Sequence, residues 1–138
     1  MGSPRPLTKK QIVDALARGD SLADTDLRGM DLSGVSFDGA DLRHCKLAEC
    51  NLTRATFRRA DLANASLWHS DCHEAVFDEA NLEEADFDFA NIDQCTFRAA
   101  KVKKAIFPNP RQSLDEVLQS VKSGRRVKVE PKHLDEDF

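Results

Sequence analysis

No run of apolar residues in the chain approaches the ~20 that a membrane-spanning helix needs. The opening stretch MGSPRPLTKKQ lacks the apolar core of a secretory signal, and Pro6 stands where a myristoylation motif has Ser or Thr. We therefore expect a cytoplasmic protein without membrane contact, although secretion without a signal would leave no such mark. The net charge of −4 is too small to indicate a nucleic-acid partner, and we expect no direct binding of nucleic acid.

Cysteine is scarce, and the four cysteines form no C-x-x-C motif. A chain of this composition does not indicate a disulfide framework. His69, Cys72 and His73 are residue types that bind metals. The spacing described next, however, points Cys72 into the fold and both histidines out of it. We therefore expect a core thiol and two surface histidines, with no metal site and no cofactor.

A spacing of five residues runs through the chain. In ATFRRADLANASLWHSDCHEAVFDEANL, which covers residues 55–82, large residues return at multiples of five and a small residue stands two places before each. Neither a helix, with a period of 3.6, nor a strand, with a period of 2, explains this spacing. It predicts short extended segments joined by corners, which suit the Asp, Asn, Ser or Thr that mostly precedes each large residue. The eighteen consecutive centres are Leu22, Leu27, Leu32, Phe37, Leu42, Leu47, Leu52, Phe57, Leu62, Leu67, Cys72, Phe77, Leu82, Phe87, Ile92, Phe97, Val102 and Phe107.

Centres of one kind recur every 20 residues, which is every four units. One such column, the predicted core stack, consists of Phe37, Phe57, Phe77 and Phe97. The residues that follow them alternate in charge and are Asp38, Arg58, Asp78 and Arg98. Like residues stacked on like predict a four-sided solenoid with coils about 4.8 Å apart.

Units such as ADLRH, CNLTR, ADLAN, ANLEE and ANIDQ resemble the A-[D/N]-L-x-x motif of pentapeptide-repeat proteins, over roughly residues 22–107. The resemblance implies an all-β solenoid, namely a right-handed quadrilateral β-helix of just over four coils. It also implies a bacterial source. Family members act as regulators or as accessory or effector proteins of secretion systems, and some mimic DNA and bind type II topoisomerases.

The open ends of a solenoid need caps. In the N-terminal segment, residues 1–19, Thr8 and Gln11 fit a capping box and Gly19 a stop signal, which predicts a short helix over about 8–18. The repeats then occupy residues 20–109.

Residues 110–138 are predicted to hold a second capping helix and a tail. A capping box at Ser113 and a stop at Gly124 predict a helix over about 113–123. The residues beyond Gly124 are expected to form a flexible tail, although RVKVE could add a short strand. The apolar stripe of the helix either caps its own coil or joins two copies as a homodimer; it consists of Leu114, Val117, Leu118 and Val121.

One outer face is expected to expose aromatic residues. Stacking at 20 residues places Trp68, the only tryptophan, and His69 beside Asp88 and Phe89. Aromatic residues are favoured anchors of protein interfaces. This face therefore predicts binding of a partner protein or of a second copy, unless a terminal segment folds back over it.

Acidic residues without any Lys or Arg between them form a belt around one coil; they are Asp71, Glu74, Asp78, Glu79, Glu83, Glu84, Asp86, Asp88 and Asp93. A solvated surface, a site for a basic partner and DNA mimicry all remain open for this belt. Mimicry of a duplex needs charge along the axis rather than around it.

A filled solenoid with flat faces offers no hollow for catalysis, so no catalytic residues are expected. We expect a non-catalytic interaction or scaffold module for a protein partner that the sequence does not identify. A topoisomerase-binding DNA mimic and a secretion-system accessory or effector protein are the alternatives.

Overall fold

The computed structural model of the chain describes residues 6–129. Its first element, helix α1, spans Lys9–Arg18. The expected capping box is present, because the Thr8 hydroxyl accepts the N–H of Gln11 and the Gln11 side chain accepts the N–H of Thr8. Gly19 ends the helix with φ = 75°, a left-handed conformation that suits glycine.

The residues after α1 form a solenoid whose coils pair in parallel. Thirteen parallel bridges join residues 20 apart, from Asp26 with Lys46 to Asp86 with Ile106. Each coil therefore contains four five-residue units, as the columns of like residues predict. Each side pairs through a single bridge residue, because a corner follows within five residues. For this reason residues 6–129 contain no strand of ordinary length, and the short extended segments that the sequence predicts are sides of the coil with a single bridge each.

The corners use left-handed backbone two residues after each centre. Fourteen residues other than glycine, between Asp24 and Lys104, have φ values from 54° to 65° at this position. The residue before the centre supports the turn. Asp26 Oδ1, for example, accepts the N–H of Arg28 at 3.1 Å. This confirms the role predicted for the polar residues that precede the centres.

The core consists of stacked centre residues, and its clearest part is the predicted column of Phe37, Phe57, Phe77 and Phe97. Successive ring centroids lie 4.9, 4.8 and 5.3 Å apart, and the ring planes are within 7° of parallel. All four side chains are fully buried. Phe87 and Phe107 form a second stack with centroids 5.3 Å apart. The prediction that residues 20 apart lie one over another is confirmed.

Helix α2 spans Pro110–Ser123 and begins three residues before the predicted start at Ser113. The predicted capping box is therefore wrong. Asn109 precedes the helix with φ = 43° and makes no side-chain cap. Pro110 takes the first helical position, where a backbone N–H would have no partner within the helix, so its lack of an N–H costs no hydrogen bond. Ser113 lies inside the helix, and its hydroxyl donates to the carbonyl of Pro108.

The segment after Gly124 is docked on the last coil as far as residue 129, which corrects the prediction of a flexible tail. Val127 is fully buried. Its carbonyl accepts the N–H of Gln94 at 2.7 Å, and its N–H donates to the carbonyl of Cys95 at 2.8 Å. In the preceding coil, the N–H and carbonyl groups at the positions equivalent to Gln94 and Cys95 bond to the coil that follows. Val127 therefore takes the place that a further coil would occupy. Residues 130–138 of the predicted tail lie outside the described residues.

The apolar stripe of α2 is divided between core and surface. Val117 is buried and Val121 partly buried against the last coil, whereas Leu114 and Leu118 are exposed. Helix α2 thus caps its own coil, and self-association through its two remaining leucines stays a prediction. Neither of the two helices in residues 6–129 is long and apolar enough to cross a membrane.

Candidate functional site

The four residues predicted to share an outer face, Trp68, His69, Asp88 and Phe89, lie together on one side of the solenoid. The ring centroids of Trp68 and Phe89 are 6.2 Å apart in an edge-to-face arrangement, with an interplanar angle of 77°. Those of Trp68 and His69 are 5.2 Å apart. Phe89 is 67% exposed and Trp68 39% exposed. Whether this surface binds a partner stays a prediction.

The coil register brings these side chains together. The N–H of His69 donates to the carbonyl of Asp88 at 2.9 Å, so the two units are direct neighbours. His69 and Phe89 occupy left-handed corners, with φ values of 58° and 59°, at the outside of the coil. Bulky side chains are disfavoured in this conformation, and the same corner column contains Gly29 and Glu49. The fold itself therefore does not require an aromatic ring there.

Ile106, one coil after Asp86, is a further exposed apolar side chain, and the sequence analysis missed it. It pairs with Asp86 across the coils and is 52% exposed. The signal was present in the sequence, because Ile106 stands in the column of Ser66 and Asp86, next to the column of Trp68. The name aromatic face is used below for Trp68, His69, Asp86, Asp88, Phe89 and Ile106.

Two carboxylates lie among the apolar side chains of the aromatic face. Asp86 Oδ1 accepts the N–H of Asp88 at 2.8 Å. Within residues 6–129, neither carboxylate forms an ion pair. Apolar anchors beside polar groups are the usual composition of a protein interface. The arrangement can therefore cover an apolar partner surface and offer negative charge to a neighbouring cation.

The five-residue units match the family model of pentapeptide repeats, in eight copies over residues 21–59, 36–67 and 60–98. The chain belongs to the pentapeptide repeat family. A comparison with curated proteins found no match.

Solved structures of other pentapeptide repeat proteins share the fold. One from the thylakoid lumen of Arabidopsis thaliana is 35% identical, with a TM-score of 0.58, and the match covers 59% of this chain and 57% of that protein. One from the cyanobacterium Cyanothece 51142 is 23% identical, with a TM-score of 0.62, and the match covers 78% of this chain and 67% of that protein. The chain thus spans little more than half of the Arabidopsis protein. The family and these neighbours imply a right-handed β-helix solenoid.

The acidic belt of this pentapeptide repeat protein is partly paired with the coil before it. Arg54 Nε lies 3.5 Å from Glu74 Oε1, and Arg59 Nε lies 3.7 Å from Glu79 Oε2. Each pair joins residues 20 apart, so the register that stacks the core also neutralises part of the belt.

The predicted ladder of alternating charge is also in register. The N–H of Arg58 donates to Asp38 Oδ1 at 2.8 Å, and the N–H of Arg98 donates to Asp78 Oδ1 at 3.1 Å. The Arg58 guanidinium is 3.6 Å from the Asp38 carboxylate. The carboxylates thus bond mainly to backbone of the next coil, rather than to a chain of side-chain ion pairs.

His69, Cys72 and His73 do not converge on a metal position. Cys72 is fully buried, and burial raises the pKa of its thiol to about 12. His73 lies outside the coil, with its ring nitrogens 3.3 Å from Glu74 and 3.7 Å from Asp93. No group of His, Cys, Asp and Glu within the described residues is arranged to hold a metal ion.

Proposed function

We propose that this pentapeptide repeat protein is a non-catalytic module that binds a partner protein through its aromatic face. One observation carries the proposal: Trp68 and Phe89 are exposed on neighbouring coils with their ring centroids 6.2 Å apart, and Ile106 is exposed on the following coil, while the large centre residues are almost all buried. Pentapeptide repeat proteins are generally structural or binding modules rather than enzymes, which supports the non-catalytic assignment.

Covering the aromatic face would remove the exposed parts of its apolar side chains from water. Complete burial of a large apolar side chain is worth ~1.5–3 kcal/mol, and Phe89 has most to gain because two-thirds of it is exposed. Tryptophan is among the residues whose truncation most weakens protein interfaces. Trp68 and Phe89 are therefore the expected anchors, with Ile106 extending the contact.

The double variant Trp68→Ser/Phe89→Ser tests this proposal. Leu114→Ser/Leu118→Ser is the matched control, because these leucines are 42% and 41% exposed on α2 and do not belong to the aromatic face. In quantitative affinity capture from cells of the source organism, the first variant should lose at least tenfold of the bound partner and the control should retain it. Thermal unfolding should change little in either, because the altered side chains are exposed. Equal capture by both variants would contradict the proposal.

Trp68 is the only tryptophan, so its fluorescence reports on the aromatic face alone. Addition of the captured partner to the wild-type protein should shift the emission to the blue as the indole leaves water. An unchanged spectrum on complex formation would place the contact on another surface.

Mimicry of DNA towards a type II topoisomerase has less support. A duplex carries one negative charge per ~1.7 Å along its axis. No outer column of this chain has acidic residues in more than two successive coils, as at Asp41 and Asp61. Arg54 and Arg59 also lie against acidic residues of the belt. We therefore favour the aromatic face over the belt as the binding surface.

A further inference from the structure

The chain from the end of α2 onward runs along the last coil in the direction opposite to the coil itself. The carbonyl of Val121 accepts the N–H of Ala99 at 2.9 Å. Eight residues later, the N–H of Val129 donates to Asp93 Oδ1 at 3.1 Å. Val127 lies between these two points and is fully buried. Eight residues of this segment therefore cover six positions of the coil, in order of decreasing residue number.

The next backbone donors in this direction have no partner. In the preceding coil, the N–H groups of His69 and Cys72 donate to the coil that follows, at 2.9 and 2.8 Å. The equivalent donors of the last coil are the N–H groups of Phe89 and Ile92, and neither has a hydrogen-bond partner within residues 6–129. Two unpaired donors thus lie on the path of the segment, and the more distant one belongs to the aromatic face.

We propose that residues 130–138, EPKHLDEDF, continue along this path as a strap that covers the aromatic face. At the same rate of eight residues for six, Leu134 arrives at Phe89. Phe138 then arrives beside Ile106, which stands one coil after Asp86. The two large apolar residues of the strap thus meet the two most exposed apolar side chains of the face.

The chain is long enough for this contact. The five residues from Val129 to Leu134 extend at most ~17 Å, and the four coil positions from Asp93 to Phe89 extend at most ~14 Å. Carbonyl groups of the strap can accept the N–H groups that are left over at the coil edge. Because the strap is tethered at Val129, it meets the face at an effective concentration of about a millimolar. These features favour the chain's own segment over a second protein as the cover of the free molecule.

The charges of the strap oppose its docking. Asp135, Glu136 and Asp137 pass near Asp86 and Asp88 of the face, and neither face carboxylate forms an ion pair within residues 6–129. Like charges repel one another. Apolar contacts and backbone bonds thus hold the strap against this repulsion, which keeps it displaceable by a partner. The position of the strap rests on the contacts above, whereas its role as a cover of a binding site rests on the proposed function.

Hydrogen exchange of the full chain tests the position of the strap. The N–H of Val102 is the internal control, because it also lacks a partner within residues 6–129 and lies past the end of the strap. After correction for intrinsic rates, the N–H groups of Ile92 and Phe89 should exchange at least tenfold more slowly than that of Val102. Equal rates at the three positions would overturn the proposal.

The full-length variant Leu134→Ser/Phe138→Ser tests which residues hold the strap. It should abolish the protection of the Ile92 and Phe89 N–H groups, because the strap loses its apolar contacts. Lys132→Ser is the matched control within the strap and should keep the protection. Protection that survives the loss of both apolar side chains would also overturn the proposal.

A pair of introduced cysteines tests proximity. All four native cysteines are buried, so they leave an introduced pair undisturbed. In mild oxidant, Asp88→Cys/Leu134→Cys should form an intramolecular disulfide at least tenfold faster than Ala99→Cys/Leu134→Cys. The control is matched because Ala99 is an exposed corner residue of the same coil, two corners away from Phe89. Equal closure of the two pairs, or closure of neither, would contradict the path of the strap.

Binding of the captured partner separates the strap from the proposed function. Leu134→Ser/Phe138→Ser should raise the affinity for this partner about tenfold, because the fraction of molecules with an open face increases. Lys132→Ser should leave the affinity unchanged. If the double variant loses the protection of Ile92 and Phe89 without any gain in affinity, the strap stands and the proposed binding through the aromatic face is overturned.

Discussion

The two ends of the solenoid are closed in different ways. At the C-terminal end, the chain replaces some of the backbone bonds that a further coil would make. Val127 bonds to the backbone of Gln94 and Cys95, and the carbonyl of Val121 accepts the N–H of Ala99 at 2.9 Å. Val117 and Val127 are also buried. This end therefore has apolar cover and partners for part of the backbone of the last coil, whereas the N–H groups of Phe89, Ile92, Val102 and Lys104 have none within residues 6–129.

At the N-terminal end, α1 closes the core but not the edge. Ile12 is buried over the first coil. Within residues 6–129, the backbone N–H groups of Asp26, Asp31, Ser36 and Asp41 have no hydrogen-bond partner. A helix bonds its backbone internally, so it has few groups to offer to a coil edge. The contrast teaches that apolar cover and backbone pairing are separate requirements, and that an extended segment such as the one at Val127 meets both.

Removal of residues 113–138 should have the largest effect, because it takes both kinds of closure from the last coil. We expect aggregation, measured by light scattering, and loss of a cooperative unfolding transition. Deletion of residues 1–19 is the matched experiment at the other end. It removes apolar cover alone and should leave more soluble, folded protein. A chain shortened at residue 113 that keeps its mass and unfolding midpoint would contradict the role of the C-terminal segment.

Val127→Asp should have the next largest effect, since it places a charge at a fully buried position. We expect the free energy of unfolding, measured with denaturant, to fall by about 3 kcal/mol or more. Lys128→Ser is the neighbouring control at an exposed side chain and should stay within about 0.5 kcal/mol of wild type.

Hydrogen exchange on the Val127→Asp variant compares the two ends directly. The N–H of Gln94 should be protected in the wild type and should exchange faster in the variant. The N–H of Ser36 should already exchange rapidly in the wild type, because no residue of 6–129 accepts it. Equal protection of Ser36 and Gln94 in the wild type would show that both edges are paired.

The repeat region could be predicted from the sequence almost residue by residue. The position of Phe57 between Phe37 and Phe77 follows from counting in steps of 20. The same steps place Trp68 beside Asp88 and His69 beside Phe89, and so bring Trp68 close to Phe89. The bounds of helix α1 could equally be predicted, because its start after Thr8 and its end before Gly19 are marked by local sequence signals. In both cases the information lies in residues close in sequence or in a strict period.

The way in which the chain covers the C-terminal end of the solenoid could not be predicted from local signals or from the period. The docking of Val127 depends on unpaired backbone groups at Gln94 and Cys95, and no local period marks such a long-range contact. The start of α2 was misplaced because Ser113 fits a capping box, whereas Pro110 begins the helix. Ile106 is a different case, because its place in the column of Ser66 and Asp86 could have been predicted from the sequence and was overlooked. The proximity of Trp68, His69, Asp88 and Phe89 was thus predicted, whereas the full extent of the aromatic face was not.

Ser120→Ala should have the smallest effect and isolates a single bond of this closure. The buried hydroxyl of Ser120 accepts the N–H of Phe97 at 2.9 Å, where a further coil would otherwise supply a carbonyl. Alanine keeps the helix but leaves that N–H buried without a partner, so we expect a loss of about 1–3 kcal/mol in the free energy of unfolding. Ser123→Ala, one turn later at an exposed position, is the matched control and should cost less than about 0.5 kcal/mol. Equal losses of unfolding free energy in the two variants would mean that the bond from the Phe97 N–H adds no stability beyond the apolar cover. Backbone pairing would then not distinguish the C-terminal end from the N-terminal end.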